Sequence, residues 1–362
     1  MPYTVQAIAD AISATALGET DLRIDEAPAD AGPHDLAIAM LPKYAERLAE
    51  GSAQTAILWA GADWQSYGLR AAILVSRPRM AMSGITTMLD TGQGLVQPGI
   101  HPTAIIDDRA VLANDVAVGA FAVIASNAQI GAGSVIGPHV TIGPDARIGP
   151  GTNIRDHVSI GARVVIGRNF RAQPGARIGG DGFSYVTPEM SAVEMARATM
   201  KDQGTAKSQA YCRIHSLGAV TIGDDVEMGA NSTIDNGTIR DTVIGDGTKI
   251  DNLVHVGHNT RVGQNCLLCG QTGISGSVEI GNFVVLGGQT GVADNLFIGD
   301  RVISGGGTKI LSNAPAGRVL LGYPAIKMDL HTEIYKAQRR LPRLFKDVAA
   351  LKRAVFKPDP GD

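Results

Sequence analysis

Large aliphatic residues recur every six positions along the middle of the chain. Stepping by six over Ile100–Ile178 meets fourteen positions, and thirteen of them are Ile, Val or Leu. A second run covers Ile244–Ile310 with Ser304 as its only break, and a short block at residues 222–234 lies out of phase with both runs. So regular a register over so many steps is not a chance bias toward isoleucine.

A period of six matches neither the 3.6 of an α-helix nor the simple alternation of a strand. It indicates very short strands separated by sharp corners, with the recurring aliphatic residue pointing inward. Glycine often follows this anchor, as at Gly131 and Gly143, and we expect it to supply the backbone angles of the corner. Three hexads would close a triangular coil of 18 residues, and coils would stack about 4.8 Å apart through parallel ladders. The predicted fold is mainly β, a parallel β-helix.

The segments on either side of the repeat lack its period. In residues 1–98, AILWA (56–60) and AAILVS (71–76) read as buried strands, and Lys43–Glu50 and Pro78–Leu89 read as helices, so we predict a small α/β domain. The β-helix domain then covers 99–325. A polar insertion at 184–213 interrupts it, as a loop or short helix that is either functional or merely mobile.

Residues 326–362 show apolar positions at helical spacing and an excess of basic residues. Pro342 is expected to divide this segment into two helices. These helices would either pack on neighbouring subunits with a solvated basic face or present a landing surface for an acidic protein partner.

Composition narrows the classes of function. The formal net charge is −3, so the chain has no general basic field for nucleic acid, and no partner of that kind is expected. Three cysteines do not make a disulfide framework. The first residues do not read as a signal peptide, and no run of 18 apolar residues predicts a transmembrane segment. We therefore expect a cytoplasmic protein.

Two histidines and two cysteines are the first candidates for chemistry. His255 precedes the inward anchor Val256, whereas His258 falls at the corner after it, so the two are not expected to share a metal ion. Cys266 and Cys269 form a lone CxxC in which Cys266 takes a small inward position. A structural role for these thiols is favoured over a redox role, and no metal site is predicted.

His258 at an external corner is the more informative residue. Adding one coil of 18 residues to it gives Gly276, and no insertion disturbs the count between them. A backbone N–H can therefore approach the space beside the imidazole. A general base next to an amide donor is an arrangement suited to acyl transfer. A surface histidine that merely lies near a surface glycine is the alternative.

Two strings carry a family resemblance: IGGDGFSYV (178–186) and AVTIGDDVEMGANSTIDNGTIRDTVIGDGTKIDNLVHVGHN (219–259). They resemble the UDP-3-O-(3-hydroxyacyl)glucosamine N-acyltransferases of lipid A and lipopolysaccharide biosynthesis, within the hexapeptide-repeat acyltransferases. The resemblance covers nearly the whole chain outside 187–213. It implies a left-handed coil, a homotrimer and active sites in clefts between subunits.

The resemblance also implies a reaction and the residues that perform it. A 3-hydroxyacyl chain would pass from acyl carrier protein to the 2-amine of UDP-3-O-acylglucosamine by direct aminolysis, with no cofactor beyond the donor's own phosphopantetheine. His258 would be the general base, Gly276 would supply the oxyanion amide, and Asp251 would orient the site. The residues implied in substrate binding are Tyr44, Asn252, His255 and Asn295.

The sequence departs from the family at the acceptor. The family's uridine-binding motif, similar to FLANPKY, keeps Tyr44 here but has Ile38 and Leu41 in place of its Phe and Asn. Asn295 stands where the family has a second His, and Asn236 where it has an Arg. These changes leave two alternatives open: a related carrier-protein-dependent acyltransferase with a different amine acceptor, and a non-catalytic β-helical scaffold. Acyl chain length and the subunit that completes the cleft are not specified by the sequence.

Overall fold

The computed structural model describes residues 3–25, 31–90, 94, 96–199, 207–322 and 325–355. Contacts divide the chain into two compact units, residues 1–94 and 95–362. Each unit has a hydrophobic core of its own.

The first unit is a small α/β domain built on a four-stranded sheet. Its strands are β1 Tyr3–Thr4, β2 Thr15–Gly18, β3 Arg23–Ile24, β4 Leu36–Ile38, β5 Thr55–Trp59 and β6 Ala71–Val75. The sheet has the order β2-β6-β5-β4, in which β4, β5 and β6 run parallel, and β1 pairs with β3 separately. Strands β5 and β6 are the two apolar runs read from the sequence, and both are largely buried.

Helices in the first unit are α1 Val5–Ala11, α2 Pro42–Ala45 and α3 Pro78–Leu89, with 3₁₀ turns at Glu46–Glu50 and Trp64–Tyr67. The predicted helix over Lys43–Glu50 is therefore a single α-turn that tightens into 3₁₀ geometry. Such tightening is common at helix ends because it satisfies the last carbonyls. Helix α3 packs against the unit's core through Ala81 and Ile85.

The second unit is the predicted parallel β-helix, and its strands form three long sheets. Sheet A contains Ile105–Ile106, Val123–Ile124, Thr141–Ile142, Ser159–Ile160, Arg177–Gly180, Thr233–Asp235, His255–Val256, Gly273–Ile274, Gly291–Val292 and Lys309–Ile310. Sheet B contains Val111–Leu112, Gln129–Ile130, Arg147–Ile148, Val165–Ile166, Val220–Ile222, Thr242–Ile244, Arg261–Val262, Glu279–Ile280 and Phe297–Ile298. Sheet C contains Ala117–Val118, Val135–Ile136, Asn153–Ile154, Arg171–Ala172, Glu227–Met228, Lys249–Ile250, Leu267–Leu268, Val285–Leu286, Ile303–Ser304 and Val319–Leu320.

The six-residue anchors make the core of this helix. Each coil places one anchor on each sheet, and equivalent anchors of adjacent coils stack in register, as Ile142 does on Ile124 and Ile160. From Val118 to Ile310 the anchors are almost completely buried, and they form one continuous cluster with the small residues two positions before them, such as Ala146 and Cys266. Outward-facing residues of the strands remain exposed, so the polar surface can change along the helix while the core stays the same.

Glycine after the anchor has a different purpose from the one expected. Apart from Gly179, positive φ angles in the repeats fall three positions after the anchor, at residues such as Asn127, Gly133 and Asn259, rather than directly after it. A Cβ at Gly131 would instead lie 2.6 Å from the backbone nitrogen of Pro150 in the next coil. Glycine is therefore used because adjacent coils approach too closely for a side chain, not because of the backbone angles.

The C-terminal segment forms one helix, α5, over Met328–Val355 with Pro342 inside it. The prediction that Pro342 divides the segment into two helices is wrong. A proline inside a helix removes one backbone hydrogen bond, and here the helix continues past that loss. None of the described side chains of α5 is buried, and several of its apolar residues are exposed, among them Leu344, Phe345 and Leu351.

Among the described residues, no helix is both long enough and apolar enough to span a bilayer. Helix α5 is long enough to cross a bilayer, but it carries many charged side chains.

Candidate functional site

Both interruptions of the repeat fall at one edge of the β-helix, where sheet A turns into sheet B. The insertion lies between the sheet A anchor Ile178 and the sheet B anchor Ile222, and a shorter bulge lies between Ile234 and Ile244. His258 stands at the same edge in the next coil, directly after the strand His255–Val256. The two irregular segments are thus held beside His258 by the regular stacking of the coils.

The imidazole of His258 is held in one tautomer by Asn259. The Asn259 side-chain oxygen accepts hydrogen bonds from the backbone N–H of Thr238 at 3.0 Å and from its hydroxyl at 2.9 Å. It lies 3.0 Å from Nδ1 of His258. Because a backbone N–H only donates, this Asn259 atom is the acceptor oxygen, so Nδ1 carries the proton and Nε2 is left with its lone pair. His258 is therefore prepared to accept a proton at Nε2.

Gly276 lies against the reactive edge of this imidazole, as the 18-residue spacing predicted. A Cβ at Gly276 would lie 2.7 Å from Nε2 and 2.5 Å from Cε1 of His258, so only glycine fits there. Within the described ranges, the Gly276 amide has no protein acceptor. Pro144 occupies the equivalent corner position in another coil, which shows that the fold does not need this N–H. The amide is free to stabilise a negative charge beside Nε2.

A half-buried carboxylate adds negative charge to the same region. Asp235 lies 3.7 Å from Nε2 of His255, and its side chain is only 15% exposed. Thr233 of the preceding coil positions His255, because its hydroxyl lies 2.8 Å from Nδ1 of that imidazole. Burial raises the pKa of Asp235, while the fields of His255 and His258 partly oppose that rise. A charged Asp235 would stabilise an imidazolium on His258, at a cost in desolvation.

Replacing Asp235 with asparagine is expected to raise the thermal stability at neutral pH by a few degrees. A raised pKa means that the folded protein binds this proton more tightly than the unfolded chain. The stability gained from this tighter proton binding is therefore fully present below the unfolded pKa of about 3.9. It is lost as the pH rises through the folded pKa of Asp235.

The advantage of Asp235→Asn should accordingly shrink as the pH is lowered, when measured by Tm from pH 4 to 8. Asp108→Asn, at an exposed corner, is the matched control and should follow the wild type throughout. A Tm for Asp235→Asn that stays below the wild type at pH 8 would contradict the account of Asp235.

The insertion forms the wall of the cavity on one side of His258. In the structure it begins before the predicted residue 184, at the buried Gly182, where a Cβ would lie 2.7 Å from Cβ of His258. Farther along, a hairpin pairs Tyr185–Val186 with Cys212–Arg213, and helix α4 covers Ala192–Thr199. Residues 200–206 of the predicted insertion lie outside the described residues.

Helix α4 is tied to the coil that carries Asn295. The Arg197 guanidinium lies 3.1 Å from the carboxylate of Asp294. Asn295 donates to the same carboxylate at 3.2 Å, and its backbone N–H donates to the carbonyl of Gly276. The insertion therefore places the positively charged Arg197 side chain beside Asn295, whose own side chain is an uncharged amide.

The floor of the cavity is the bare outer face of sheet A. Gly273 follows His255 in register on this sheet, and Gly291 follows Gly273. A Cβ at Gly273 would meet nothing within 4 Å, so the missing side chain leaves open space. The resulting cavity has a volume of about 410 Å³, large enough for the reacting ends of two substrates. Its lining residues are Phe183, Arg197, Asp235, His255, Gly257, His258, Gly273, Ile274, Ser275, Gly276, Ser277, Asp294 and Asn295.

Of the residues predicted from the sequence, the structure brings together His258, Gly276, His255 and Asn295 in this cavity. It does not bring Asp251 to them within one chain. Asp251 follows a strand of sheet C and lies at a different corner of the same coil, where its carboxylate accepts the N–H of Gly270 at 2.9 Å. The role of Asp251 in catalysis stays a prediction.

The remaining predicted binding residues lie elsewhere. Asn252 accepts the N–H of Ala230 at 2.6 Å and does not line the cavity. Tyr44 belongs to the first unit, where it is half-exposed and lines a separate cavity of about 390 Å³ together with Ile38 and Arg47. Their roles in substrate binding stay predictions.

Four charged or aromatic residues of the cavity were not identified from the sequence: Asp235, Phe183, Arg197 and Asp294. Asp235 sits in a string that carried the resemblance, directly after Ile234, the last anchor of the out-of-phase block, and that position was a usable signal. Asp294 lies one coil of 18 residues after Gly276, so the same count could have found it. Phe183 and Arg197 depend on how the insertion folds, for which the sequence has no periodic pattern.

The cysteines are poorly suited to act as nucleophiles. Burial raises the pKa of the Cys266 thiol, which is fully enclosed in the core. Burial and the charge of Asp251 raise the pKa of Cys269. Both thiols are therefore protonated at neutral pH and weakly reactive. Cys212 is exposed on the insertion and lines neither of the cavities that include insertion residues. The described part of the chain contains no group of three His, Cys, Asp or Glu side chains able to hold a metal ion.

Comparisons with known proteins agree with this geometry. The bacterial transferase hexapeptide model (six repeats) matches residues 109–144 and 241–276. A UDP-3-O-acylglucosamine N-acyltransferase of Ruegeria pomeroyi is 66% identical over the full length of both chains, and one of Paracoccus denitrificans is 52% identical over the same extent. The enzyme of that name from Pseudomonas aeruginosa is 38% identical over 76% of this chain and 73% of its own.

A solved structure with the same fold is the UDP-N-acetylglucosamine acyltransferase of Arabidopsis. It covers 62% of this chain and 71% of its own length with a TM-score of 0.50 and 20% sequence identity. At that identity the likeness concerns the fold alone, which is a left-handed parallel β-helix. The predicted fold class is confirmed.

The resemblance read from the two sequence strings is also confirmed, because the relatives match at high identity over the whole chain. This protein belongs to the UDP-3-O-acylglucosamine N-acyltransferase family and is an acyltransferase.

Proposed function

We propose that the protein transfers a 3-hydroxyacyl chain from acyl carrier protein to the 2-amine of UDP-3-O-acylglucosamine, a step of lipid A synthesis. The observation that carries the proposal is the position of the free Gly276 amide beside Nε2 of His258 in the cavity. The relatives of this chain bear the name of that enzyme. We expect a homotrimer that acts in the cytoplasm and needs no cofactor, since the donor carries its own phosphopantetheine.

The reaction proceeds by direct aminolysis of the thioester. The amine attacks the thioester carbonyl while Nε2 of His258 takes its proton, so that a C–N bond forms. The carbonyl oxygen gains negative charge and is stabilised by the N–H of Gly276. The C–S bond then breaks, and the imidazolium returns its proton to the departing thiolate of phosphopantetheine. Asn259 keeps the proton-accepting tautomer in place, and Asp235 stabilises the transient positive charge.

The experiment that tests this function is an assay with a panel of acceptors. The purified protein is incubated with 3-hydroxyacyl carrier protein and UDP-3-O-acylglucosamine, and the diacylated sugar is detected by mass spectrometry. The same acceptor with its 2-amine acetylated is the matched control and should give no product. The absence of turnover with the free amine, from folded protein, would contradict the proposal. Turnover of another amine in its place would favour the related transferase that Ile38 and Leu41 left open.

Filling the cavity floor is expected to block substrate without harming the fold. Gly273→Val adds a side chain where a Cβ has no neighbour within 4 Å, and valine is well suited to a strand. We expect kcat/KM to fall by about tenfold or more, as for loss of a well-oriented substrate position, with an unchanged Tm. Ser159→Val places the same side chain on sheet A outside the cavity and should keep full activity. Equal activities of the two variants would mean that substrate does not lie over Gly273.

A further inference from the structure

The cavity beside His258 has one side chain with a permanent positive charge among the described residues that line it. This side chain is Arg197 of helix α4. The acidic side chains of the cavity are Asp235 and Asp294, and an imidazole is positive only while it holds a second proton. A substrate group with a lasting negative charge in this cavity therefore has a cation only on the insertion.

Arg197 is connected to the catalytic residues by a short chain of contacts. Its guanidinium lies 3.1 Å from the carboxylate of Asp294, which also accepts the side-chain amide of Asn295 at 3.2 Å. The backbone N–H of Asn295 donates to the carbonyl of Gly276 at 3.1 Å. These contacts place the guanidinium in the wall of the cavity that His258 and Gly276 also line.

Most of the hydrogen-bond donors of Arg197 are left for a ligand. A guanidinium carries five N–H groups in a planar fork, and among the described residues its one hydrogen bond is the contact of Nη1 with Asp294. The Arg197 side chain is 67% exposed. The carboxylate of Asp294 thus orients the guanidinium and leaves its other N–H groups uncovered.

Helix α4 is fixed at its start, which gives Arg197 a defined position. Ser191 accepts the N–H of Glu194 at 3.2 Å, and Glu194 in turn accepts the N–H of Ser191 at 2.7 Å, so the helix begins with a capping box. Arg197 follows Glu194 by three residues and lies on the same side of the helix, one turn later. The insertion therefore carries this arginine to the cavity on a capped helix.

The acceptor of the proposed reaction has its negative charge next to the amine that reacts. Its diphosphate is attached to C1 of the sugar, and the amine is attached to C2. When the amine lies at Nε2 of His258, the inner phosphate is separated from it by two ring carbons and one oxygen. The donor does not bring such a charge, because its own phosphate is at the far end of the pantetheine arm from the thioester.

We propose that Arg197 binds the phosphate attached to the sugar of the acceptor, and so selects acceptors that carry an anionic group beside the reacting amine. The inference rests on the proposed function for the identity of the acceptor. A guanidinium suits this phosphate because two of its N–H groups can donate in parallel to two phosphate oxygens. Asp294 is then a positioning residue, which acts through Arg197.

The test compares acceptors that differ in their phosphate groups. They are UDP-3-O-acylglucosamine, 3-O-acylglucosamine 1-phosphate and the phosphate-free methyl glycoside of 3-O-acylglucosamine, all with a free 2-amine and the same donor. The variant is Arg197→Gln. Lys207→Gln is the matched control, because Lys207 is exposed on the same insertion and lines neither of the cavities there. If Arg197→Gln does not fold, Arg197→Lys takes its place, since it keeps the charge without the fork.

Arg197→Gln is expected to lower kcat/KM by about tenfold or more for the two acceptors that carry phosphate, mainly through KM. Little change is expected for the methyl glycoside, and none for any acceptor in Lys207→Gln. A merely structural role for Arg197 would change all three acceptors to the same extent, and an equal effect of any size would overturn the proposal. A loss confined to the UDP-sugar would also overturn it, because Arg197 would then contact another part of the nucleotide.

Direct binding separates this inference from the proposed function. The probe is UDP-3-O-acylglucosamine with its 2-amine acetylated, which cannot react, and its affinity is measured by calorimetry. The affinity should weaken about tenfold in Arg197→Gln and not in Lys207→Gln, whether or not the enzyme turns over. Equal affinities in all three proteins would overturn the role of Arg197 while leaving acyl transfer untouched. A wild type that binds the probe through Arg197 but makes no diacylated sugar would count against the proposed function only.

Discussion

Replacement of His258 by alanine is expected to lower kcat about a thousandfold, within the range for loss of a general base. Among the described residues of the cavity, only His258 has a nitrogen prepared as a proton acceptor beside the Gly276 amide. The substitution removes that nitrogen. The fold should be unaffected, because His258 lies at an outer corner and the anchors beneath it remain. Initial rates at saturating substrate, together with Tm and elution volume, measure both effects.

A control variant separates the role of His258 from the general effect of removing an exposed histidine. His157→Ala is the matched control, since His157 is exposed at a corner of the same helix outside the cavity. A His258→Ala enzyme with more than half of the wild-type rate would remove the general base from the mechanism.

Gly276→Ala is expected to lower kcat by about a hundredfold through its effect on His258. The new Cβ would lie 2.7 Å from Nε2 and 2.5 Å from Cε1, so the imidazole must leave its position. A displacement of this size at a reacting group costs on the order of a hundredfold in rate. The backbone N–H of residue 276 is retained, so the loss reports the position of His258 rather than the amide itself.

The double variant tells this mechanism apart from general damage. If Gly276→Ala acts by displacing His258, then His258→Ala combined with Gly276→Ala should be about as active as His258→Ala alone, because residues that act as a unit are not additive. Independent, multiplying losses would show that Gly276→Ala disturbs something other than the imidazole.

The β-helix and the His258–Gly276 pair were predictable because both depend on one repeated unit. Eighteen residues per coil fix which residues stack, so the neighbour of His258 could be obtained by addition. The same reasoning places Asp251 at another corner, but the resemblance and not the coil count had suggested it for the site. Handedness likewise came from the resemblance, because a six-residue period is compatible with either hand.

The parts that escaped prediction are those without a period. The insertion supplies Phe183 and Arg197 to the cavity through a hairpin and a helix whose packing no repeat dictates. The tautomer of His258 depends on Thr238, which lies in the bulge that disturbs the register. Pro342 was read as a break in the helix, yet the loss of one hydrogen bond does not end a helix of that length.

The central claim is that the acyl chain passes directly to an amine beside His258. A single-turnover experiment tests it most directly: radiolabelled 3-hydroxyacyl carrier protein is mixed with excess enzyme and UDP-3-O-acylglucosamine, and the reaction is quenched at successive times. The label should move from the carrier protein to the sugar amide with the same rate constant at which the donor is consumed, and none should be found on the enzyme. Label held on the enzyme before it reaches the sugar, or label that never leaves the carrier protein, would contradict the account.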